Sequence, residues 1–239
     1  MSLKSPELSL IIPCYNEELN IPPLMKRLNL IQEEWIEFIL VNNGSNDNTR
    51  NIIVKEAEKL DLKIKLVDIK KNNGYGYGIM EGIKTGSGSI LSWTHADLQT
   101  DPKDVINAYY HFKEIALDKN YILKGKRYGR KIFDTIFTLG MSFLSSVIMG
   151  EKLSDINAQP KLFYKEFLSE LVNCPDDFSL DLYFLYMGKT KGYNIIEFPV
   201  EFSDRVYEES KGGGSLRGKW SLIRRTWIYM IALRKKVIK

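Results

Sequence analysis

The sequence predicts an α/β fold in which a mostly parallel sheet is flanked by helices. Three observations carry this: short apolar runs that end in turn residues, helical-period segments between the runs, and polar clusters just after them. A strand buried on both faces reads as a continuous apolar run, whereas a covering helix shows apolar residues three and four apart.

The first run is Leu8-Ser9-Leu10-Ile11-Ile12, stopped by Pro13, and the second covers 36–41 and ends in Asn42-Asn43-Gly44-Ser45. Between them Leu24, Leu28 and Ile31 fall at helical spacing. After the second run Ile52, Ile53, Ala57 and Leu60 do the same, behind Ser45 and Asp47 as cap candidates. A third strand is expected over 64–69, a helix over about 78–85 and a fourth strand over 89–94. Asp101-Pro102 reads as a helix start, and beyond it the alternation loosens, with strands expected at 121–124 and 195–202 and helices at 132–149 and 180–187. Gly212-Gly213-Gly214-Ser215 reads as a joint, which divides the chain into a domain over 1–211 and a glycine-rich joint with a basic arm over 212–239.

A length of 239 residues suits one domain with a tail, and 44% hydrophobic with 27% charged residues excludes disordered and collagen-like classes. A net charge of +4 is too small to argue for nucleic acid, so no nucleic-acid partner is expected. Cys14 and Cys174 have no companions at metal-ligand spacing, which argues against a disulfide framework or a zinc site. The amino terminus lacks a signal-peptide pattern, and the most apolar long stretch, 132–149, is interrupted by Asp134 and five hydroxyl side chains. A cytoplasmic location is the expectation.

In the arm, Trp220, Ile223, Trp227, Met230 and Ile231 share a rough helical face, while Arg217, Lys219, Arg224, Arg225, Arg234, Lys235, Lys236 and Lys239 add positive charge. Such a basic amphipathic C-terminal helix can lie among lipid headgroups, which makes the protein peripheral on the inner face of the membrane. The alternative is a helix that packs its aromatics onto the domain or onto a second copy in a homodimer. The 132–149 helix is either a second interfacial helix or core.

Open α/β sheets bind ligands at the carboxyl ends of their strands. Three polar clusters fall there: Pro13-Cys14-Tyr15-Asn16-Glu17-Glu18, the segment 42–49, and His95-Ala96-Asp97-Leu98-Gln99. Their amides and carboxylates suit a nucleoside diphosphate with Mg²⁺ or Mn²⁺ held on its phosphates, a task open to Asp97 with the Gln99 oxygen. The competing reading makes Asp97 and Asp101 caps of the helix that starts near Pro102.

These three clusters, together with Asn72-Asn73-Gly74-Tyr75-Gly76, resemble in order and spacing the family 2 glycosyltransferases of the GT-A (Rossmann-like) fold. The resemblance is nearest to the dolichol- and polyprenyl-phosphate sugar transferases. It extends through Gly125-Lys126-Arg127-Tyr128, Ser154-Asp155 and the segment 202–211. It implies that Pro13, Tyr15, Asn16 and Glu17 line a nucleoside pocket, that Asn42 and Asp47 contact the base side, and that Asp97 and Gln99 hold the metal on the diphosphate. It also implies that Arg127 and Arg205 face phosphate groups and that Ser210 and Lys211 lie on a loop closing over the site. The activity implied is one inverting displacement at the anomeric carbon of a nucleotide sugar. The acceptor would be a polyprenyl phosphate, a lipid-linked glycan or a sugar hydroxyl. For a hydroxyl acceptor the candidate bases are Asp155 and Asp181, of which Asp155 is preferred.

The chain departs from that family where it has Asn42 and Asn43 in place of two aspartates, and His95 in place of a third. Each change removes negative charge, so the preferred base stays open, and His95 either ligates a metal such as Mn²⁺ or meets the diphosphate directly. A degenerate protein that binds a nucleotide sugar without turnover is a third reading.

Overall fold

The computed structural model describes residues 5–203 and 216–237. Strands β1 (Leu8–Cys14), β2 (Ile36–Asn43), β3 (Ile64–Ile69) and β4 (Ile90–Trp93) alternate with helices α1 (Ile21–Leu30), α2 (Thr49–Leu60) and α3 (Tyr75–Thr85). Then follow α4 (Pro102–Ile115), β5 (Tyr121–Tyr128), α5 (Ile132–Met149), β6 (Lys161–Tyr164), a 3-10 turn (Lys165–Glu170), α6 (Leu180–Thr190), β7 (Asn194–Glu201) and α7 (Leu216–Val237).

One seven-stranded sheet runs in the order β3-β2-β1-β4-β6-β5-β7. Only β6 is reversed, pairing antiparallel with β4 and β5, so the sheet is mostly parallel as expected. The reversal matters for the site, because it sets Lys161, the first residue of β6, opposite Trp93 at the carboxyl end of β4. Sequence reasoning missed β6. A strand of four residues that opens on a lysine leaves only Leu162-Phe163-Tyr164, an apolar run too short to mark a strand.

Both faces of the sheet are buried. Leu8, Leu10 and Ile12 meet α1, α2 and α4 on one side, while Ile11, Ile39 and Val41 meet α3 and the packing of α6 and α7 on the other. Each fully buried aliphatic side chain contributes about 1.5–3 kcal/mol by area removed from water. Trp93 and Phe184 sit edge to face with centroids 4.8 Å apart, anchoring α6 under β4.

Helix α5 is not core. Ser142, Ser145 and Met149 face inward, whereas Ile132, Phe133, Ile136, Leu139, Phe143 and Val147 are exposed. It is also long and apolar enough to cross a membrane, with only 17% of its residues buried. In α7, Met230 and Leu233 pack into the core and Arg234 Nη1 donates to the Ile148 carbonyl at 2.6 Å. Trp227, Ile228 and Ile231 are exposed, as are Arg224, Arg225, Arg234 and Lys235. The expected apolar face of the arm is therefore split: Met230 packs, and Trp227 and Ile231 look outward. The glycine joint and Trp220 lie outside the residues whose side chains are described.

Away from the site, Glu37 closes the amino edge of the sheet. Its Oε1 accepts from Ser9 Oγ at 2.5 Å, Ser87 N at 2.6 Å and Ser87 Oγ at 2.9 Å, and Lys65 Nζ lies 2.5 Å from Oε2. Burial would raise the Glu37 pKa, but Lys65, Ser9 and Ser87 hold it at about 2. On β7, burial likewise would raise Glu197, yet Ser154, Lys126 and Lys124 hold it at about 2. Depressed carboxylates stabilise the fold above their unfolded pKa and lose that contribution as pH falls through the folded value. Urea denaturation should show stability declining from about pH 4.5 toward 2. Glu37→Gln should cost about 1–2 kcal/mol at pH 7, discounted for partial solvent access, and flatten the acid limb.

Candidate active site

The strand order β2-β1-β4 sets the loops after β1, β2 and β4 side by side. The first two are stapled reciprocally. Asn16 N–H donates to Ser45 Oγ at 3.0 Å, Glu17 N–H to Thr49 Oγ1 at 2.7 Å and Glu18 N–H to Asp47 Oδ2 at 3.2 Å. In return Asn46 N–H donates to Asn16 Oδ1 at 2.8 Å and Asn48 N–H to Glu18 Oε2 at 3.0 Å. Asp47 also accepts from Thr49 N–H at 3.0 Å, so both its oxygens hold backbone. Pro13, Tyr15 and Glu17 line this edge half-buried. Cys14 is buried among them; burial, then Glu17 and Asp47, push its thiol pKa up, which keeps it unreactive.

Asn42 and Asn43 close β2 and are both buried. Asn42 Nδ2 donates to Asp68 Oδ1 at 2.7 Å, and Arg50 Nε donates to Asp68 Oδ2 at 2.8 Å. The Asn42 bond, then Arg50, hold the Asp68 carboxyl below its usual range despite some burial.

After β4 the chain turns sharply. Leu98 is buried in the core with φ 59°, a left-handed conformation that costs a branched side chain about 1–3 kcal/mol and clusters at functional sites. The turn sets Asp97 and Gln99 on either side of it. Asp97 is 5% exposed and accepts from Gln99 N–H at 3.2 Å. It does not cap α4. Asp101 does, accepting from Lys103 N–H at 2.9 Å. Gln99 Nε2 donates to the Ser203 carbonyl at 3.2 Å and Ser203 N–H donates to the Gln99 carbonyl at 2.9 Å, tying the turn to the chain after β7. His95 stacks on Tyr75, centroids 5.6 Å apart, and Tyr75 stacks on Phe178 at 4.6 Å. Burial lowers the His95 pKa, Lys161 and Arg127 add to the shift, and Asp97 and Asp181 oppose it, so the neutral ring is favoured.

The other half of the site is cationic. Asp155, with φ 37°, accepts from Arg127 N–H at 2.8 Å, from Arg127 Nε at 2.9 Å and from its Nη2, while Arg130 Nη2 stands 3.7 Å away. Burial would raise the Asp155 pKa, but the two arginines hold its carboxyl below the usual range. Arg127 also lies 5.0 Å over the Phe202 ring. It opens a cleft walled by Phe137, Met141, Ile156, Leu182 and Ile223.

Beneath Trp93, Lys161 is fully buried. Its ammonium donates to the Ile156 carbonyl at 3.0 Å, the Ala158 carbonyl at 3.2 Å and Asp181, and lies 5.5 Å over the Trp93 ring. Gln159 Nε2 donates to Asp181 at 3.0 Å and to Tyr75 OH at 3.3 Å. Arg205, Ser210 and Lys211 lie outside the described residues. Arg50, Asp68, Arg130 and Lys161 belong to the site's framework, and sequence reasoning did not single them out. Lysine and arginine scattered through strand and turn segments have no spacing that marks them.

An α/β sheet whose carboxyl edge joins amide-rich loops to a cleft bearing Arg127 is the architecture of the GT-A class. The model of glycosyl transferase family 2 matches residues 9–167, well over half of the chain, and the chain belongs to that family. It is 30% identical over 178 residues to the dodecaprenyl-phosphate galacturonate synthase of Rhizobium johnstonii, covering 71% of this chain and 51% of that protein. It is 24% identical over 216 residues to the undecaprenyl-phosphate 4-deoxy-4-formamido-L-arabinose transferase of Sodalis glossinidius, covering 87% and 64%. The chain thus spans about half to two thirds of the length of these curated relatives. Among solved structures, the glucosyl-3-phosphoglycerate synthase of Mycobacterium tuberculosis, bound to Mn²⁺, UDP and its product, superposes with a TM-score of 0.73 at 14% identity, covering 96% of this chain and 80% of that one. The mannosyltransferase of Pyrobaculum calidifontis with GDP-mannose and Mn²⁺ superposes with a TM-score of 0.69 at 20% identity, covering 98% and 65%. These likenesses establish the GT-A fold.

Breaking a buried ion pair from one side leaves an uncompensated charge. Lys161→Met should cost about 3–5 kcal/mol in urea denaturation, and Lys161→Met combined with Asp181→Leu should recover much of it. Strictly additive losses would show that the two side chains are not coupled.

Proposed function

We propose that this chain is the transferase domain of an inverting enzyme that moves a sugar from a nucleotide-sugar donor to a polyprenyl phosphate at a membrane surface. The observation that carries the reading is the Arg127 cleft, mostly apolar along its walls though Thr138, Ser142, Ser145, Asn157 and Thr226 also line it, and bordered by α5, whose outer face exposes Phe133, Leu139 and Phe143. A polyprenyl phosphate has that pattern, an anion joined to a hydrocarbon chain. The two curated relatives carry prenyl phosphates in their names.

In the displacement, an acceptor oxygen bonds to the anomeric carbon while the bond from that carbon to the diphosphate breaks, and the nucleoside diphosphate leaves with the electron pair. A phosphate acceptor is already anionic and needs no base. A hydroxyl acceptor needs one, and here Asp155 is clasped by Arg127 while Asp181 is buried against Lys161. Both carboxylates suit positioning better than proton removal, which favours the phosphate. Arg127, whose planar fork matches phosphate oxygens, orients the acceptor. Pro13, Tyr15, Asn16 and Glu17 border the nucleoside, and Asp47 holds their loop.

A divalent cation fits the donor set. Asp97 offers a carboxylate, His95 a neutral imidazole and Gln99 an amide oxygen turned away from the Ser203 carbonyl by its own Nε2 bond. Among the described residues no three His, Cys, Asp or Glu side chains gather as a complete cage, so the diphosphate would supply the remaining oxygens. When bound, Mg²⁺ or Mn²⁺ stabilises charge on the leaving group. The solved neighbours with Mn²⁺ support this choice.

The membrane reading places the domain as a peripheral protein on the cytoplasmic face. The exposed apolar face of α5 would enter the headgroup layer, with Arg224, Arg225, Arg234 and Lys235 of α7 near anionic lipid, each adding about 1 kcal/mol.

Asp97→Ala should lower sugar transfer to polyprenyl phosphate by about 10²-fold or more, as expected when charge on a leaving group loses its support. Full activity in that variant would remove Asp97 from the reaction. Wild type inactive on every lipid extract yet binding nucleotide would mark a binding protein without turnover. Phe133→Asp combined with Phe143→Asp should abolish co-sedimentation with phosphatidylglycerol vesicles and leave the melting temperature unchanged. If that variant instead converts a dimer to a monomer in light scattering, α5 is a homodimer face and the membrane reading fails.

A further inference from the structure

Two arginines share one carboxylate beside the cleft. The side chains of Arg127 and Arg130 are 13% and 9% exposed, and that of Asp155 is 11% exposed. Asp155 Oδ1 accepts from Arg127 Nε at 2.9 Å and from its Nη2, so one whole edge of that guanidinium is taken. Asp155 Oδ2 accepts from the Arg127 backbone N–H at 2.8 Å. Arg130 is held far less completely. Its Nη1 donates to Thr138 Oγ1 at 2.8 Å, its Nη2 lies 3.7 Å from Asp155 Oδ1, and its buried Nε has no acceptor among the described residues. Nε and Nη2 stand on one edge of a guanidinium, so the edge of Arg130 with the unused donor is the edge that fronts Asp155. A buried donor without an acceptor is rare in folded proteins, because nothing offsets its loss of water.

The charges of this triad do not balance either, since two guanidiniums meet one carboxylate in a place with little water to screen them. Burial, then Arg127, press the Arg130 pKa below its usual value, and Asp155, then Asp134, oppose the shift. Arg127 and Thr138 both line the cleft, so the excess positive charge borders it. The distance to be closed is small. Arg130 Nη2 has to come from 3.7 Å to the roughly 2.8 Å of a charge-assisted bond, and Asp155 Oδ2 can keep the Arg127 backbone N–H meanwhile.

We propose that Arg130 is a positioning residue that makes the site select an anionic acceptor: as a phosphate takes the Nε and Nη2 edge of Arg127, Asp155 Oδ1 passes to the matching edge of Arg130. After the exchange each guanidinium has an anion of its own, and the Arg130 Nε has its acceptor. A hydroxyl or a water molecule carries no charge with which to displace the carboxylate, so it leaves Arg127 clasped and is refused. Arg130 touches no substrate in this scheme. The proposal rests on the lipid-phosphate reading above and names the residues that enforce it.

The test uses the whole protein with ¹⁵N-labelled arginine and farnesyl phosphate as the probe, the Arg127 and Arg130 Nε–H signals being assigned by their loss in Arg127→Lys and Arg130→Lys. Farnesyl phosphate should shift both signals, that of Arg130 downfield as its Nε gains an acceptor. Farnesol, the same chain without the anion, should not move the Arg130 signal. In isothermal titration Arg130→Gln should bind farnesyl phosphate on the order of tenfold more weakly, as expected when a charged hydrogen bond is lost, and farnesol as the wild type does. Arg130→Lys, which serves where Arg130→Gln does not fold, keeps the charge without the two-donor edge and should not restore tight binding. An Arg130 signal that stays in place while the Arg127 signal moves, or full affinity in these variants, overturns the exchange and leaves the acceptor reading standing. Failure of farnesyl phosphate to bind overturns both, and inorganic phosphate binding as tightly overturns the lipid as the source of the anion.

Discussion

The ammonium of Lys161 is the constraint on which the acceptor half of the molecule depends. It sits fully buried at the start of the one reversed strand, and an ammonium in that position must find an acceptor for each of its three N–H groups. Two of the three are backbone carbonyls, Ile156 and Ala158, and the third is the carboxylate of Asp181 on α6. Satisfying one side chain therefore fastens the 154–160 turn to α6. That turn carries Asp155, and Asp155 holds Arg127 by its backbone and its guanidinium together. The cation that faces the cleft is positioned by a cation that never meets water. Gly125 belongs to the same construction, since a side-chain carbon there would come within 2.1 Å of the Gln159 carbonyl.

On the donor half, the acidic residues are largely engaged in holding loops. Asp47 accepts from two backbone N–H groups and Asp68 is shared between Asn42 and Arg50. With asparagines at 42 and 43 and a neutral ring favoured at His95, Asp97 supplies the carboxylate that the proposed cation would meet. A site of this kind repels diphosphate less than one ringed by aspartates, and depends more on the phosphates themselves to complete a cation's shell. Left-handed backbone at Asn16, Leu98 and Asp155 places one strained residue in each of three segments that frame the site. Their side chains are anchored elsewhere, Leu98 in the core and Asn16 on the neighbouring loop, and that anchoring sustains the strain.

Much of the fold was legible because parallel strands covered on both faces read as unbroken apolar runs. Residues 8–12 and 36–41 did so but for Ser9 and Glu37 at their amino ends, and the polar clusters just after them fell where the sheet's carboxyl edge lies. The rest depended on partners distant in sequence. A carboxylate at 155 looks like a base until the guanidinium from 28 residues earlier is seen to hold it. The amides at 42 and 43 read as polarity-neutral until Asp68 and Gly74 fix their direction. In the C-terminal helix, periodicity found the apolar residues but could not divide them. Met230 and Trp227 share a stripe wide enough that one packs and the other stays in solvent.

Helix α5 joins the two ends of this design. Its inward face carries small polar side chains: Ser142 Oγ accepts from Asp155 N–H at 3.1 Å, and Ser146 Oγ donates to the Ser142 carbonyl at 2.7 Å and accepts from Leu153 N–H at 2.9 Å. Its outward face is Phe133, Leu139, Phe143 and Val147, all exposed. Small hydroxyl side chains let the helix lie close against the turn that bears Asp155, while the bulky residues opposite them are left for another apolar phase. On the proposed reading the helix that enters the headgroup layer is the same one that fixes the backbone of Asp155, and through it Arg127. A lipid phosphate and the guanidinium that meets it would then be set at one depth by a single rigid element, so that docking on the surface and alignment of the acceptor are one event.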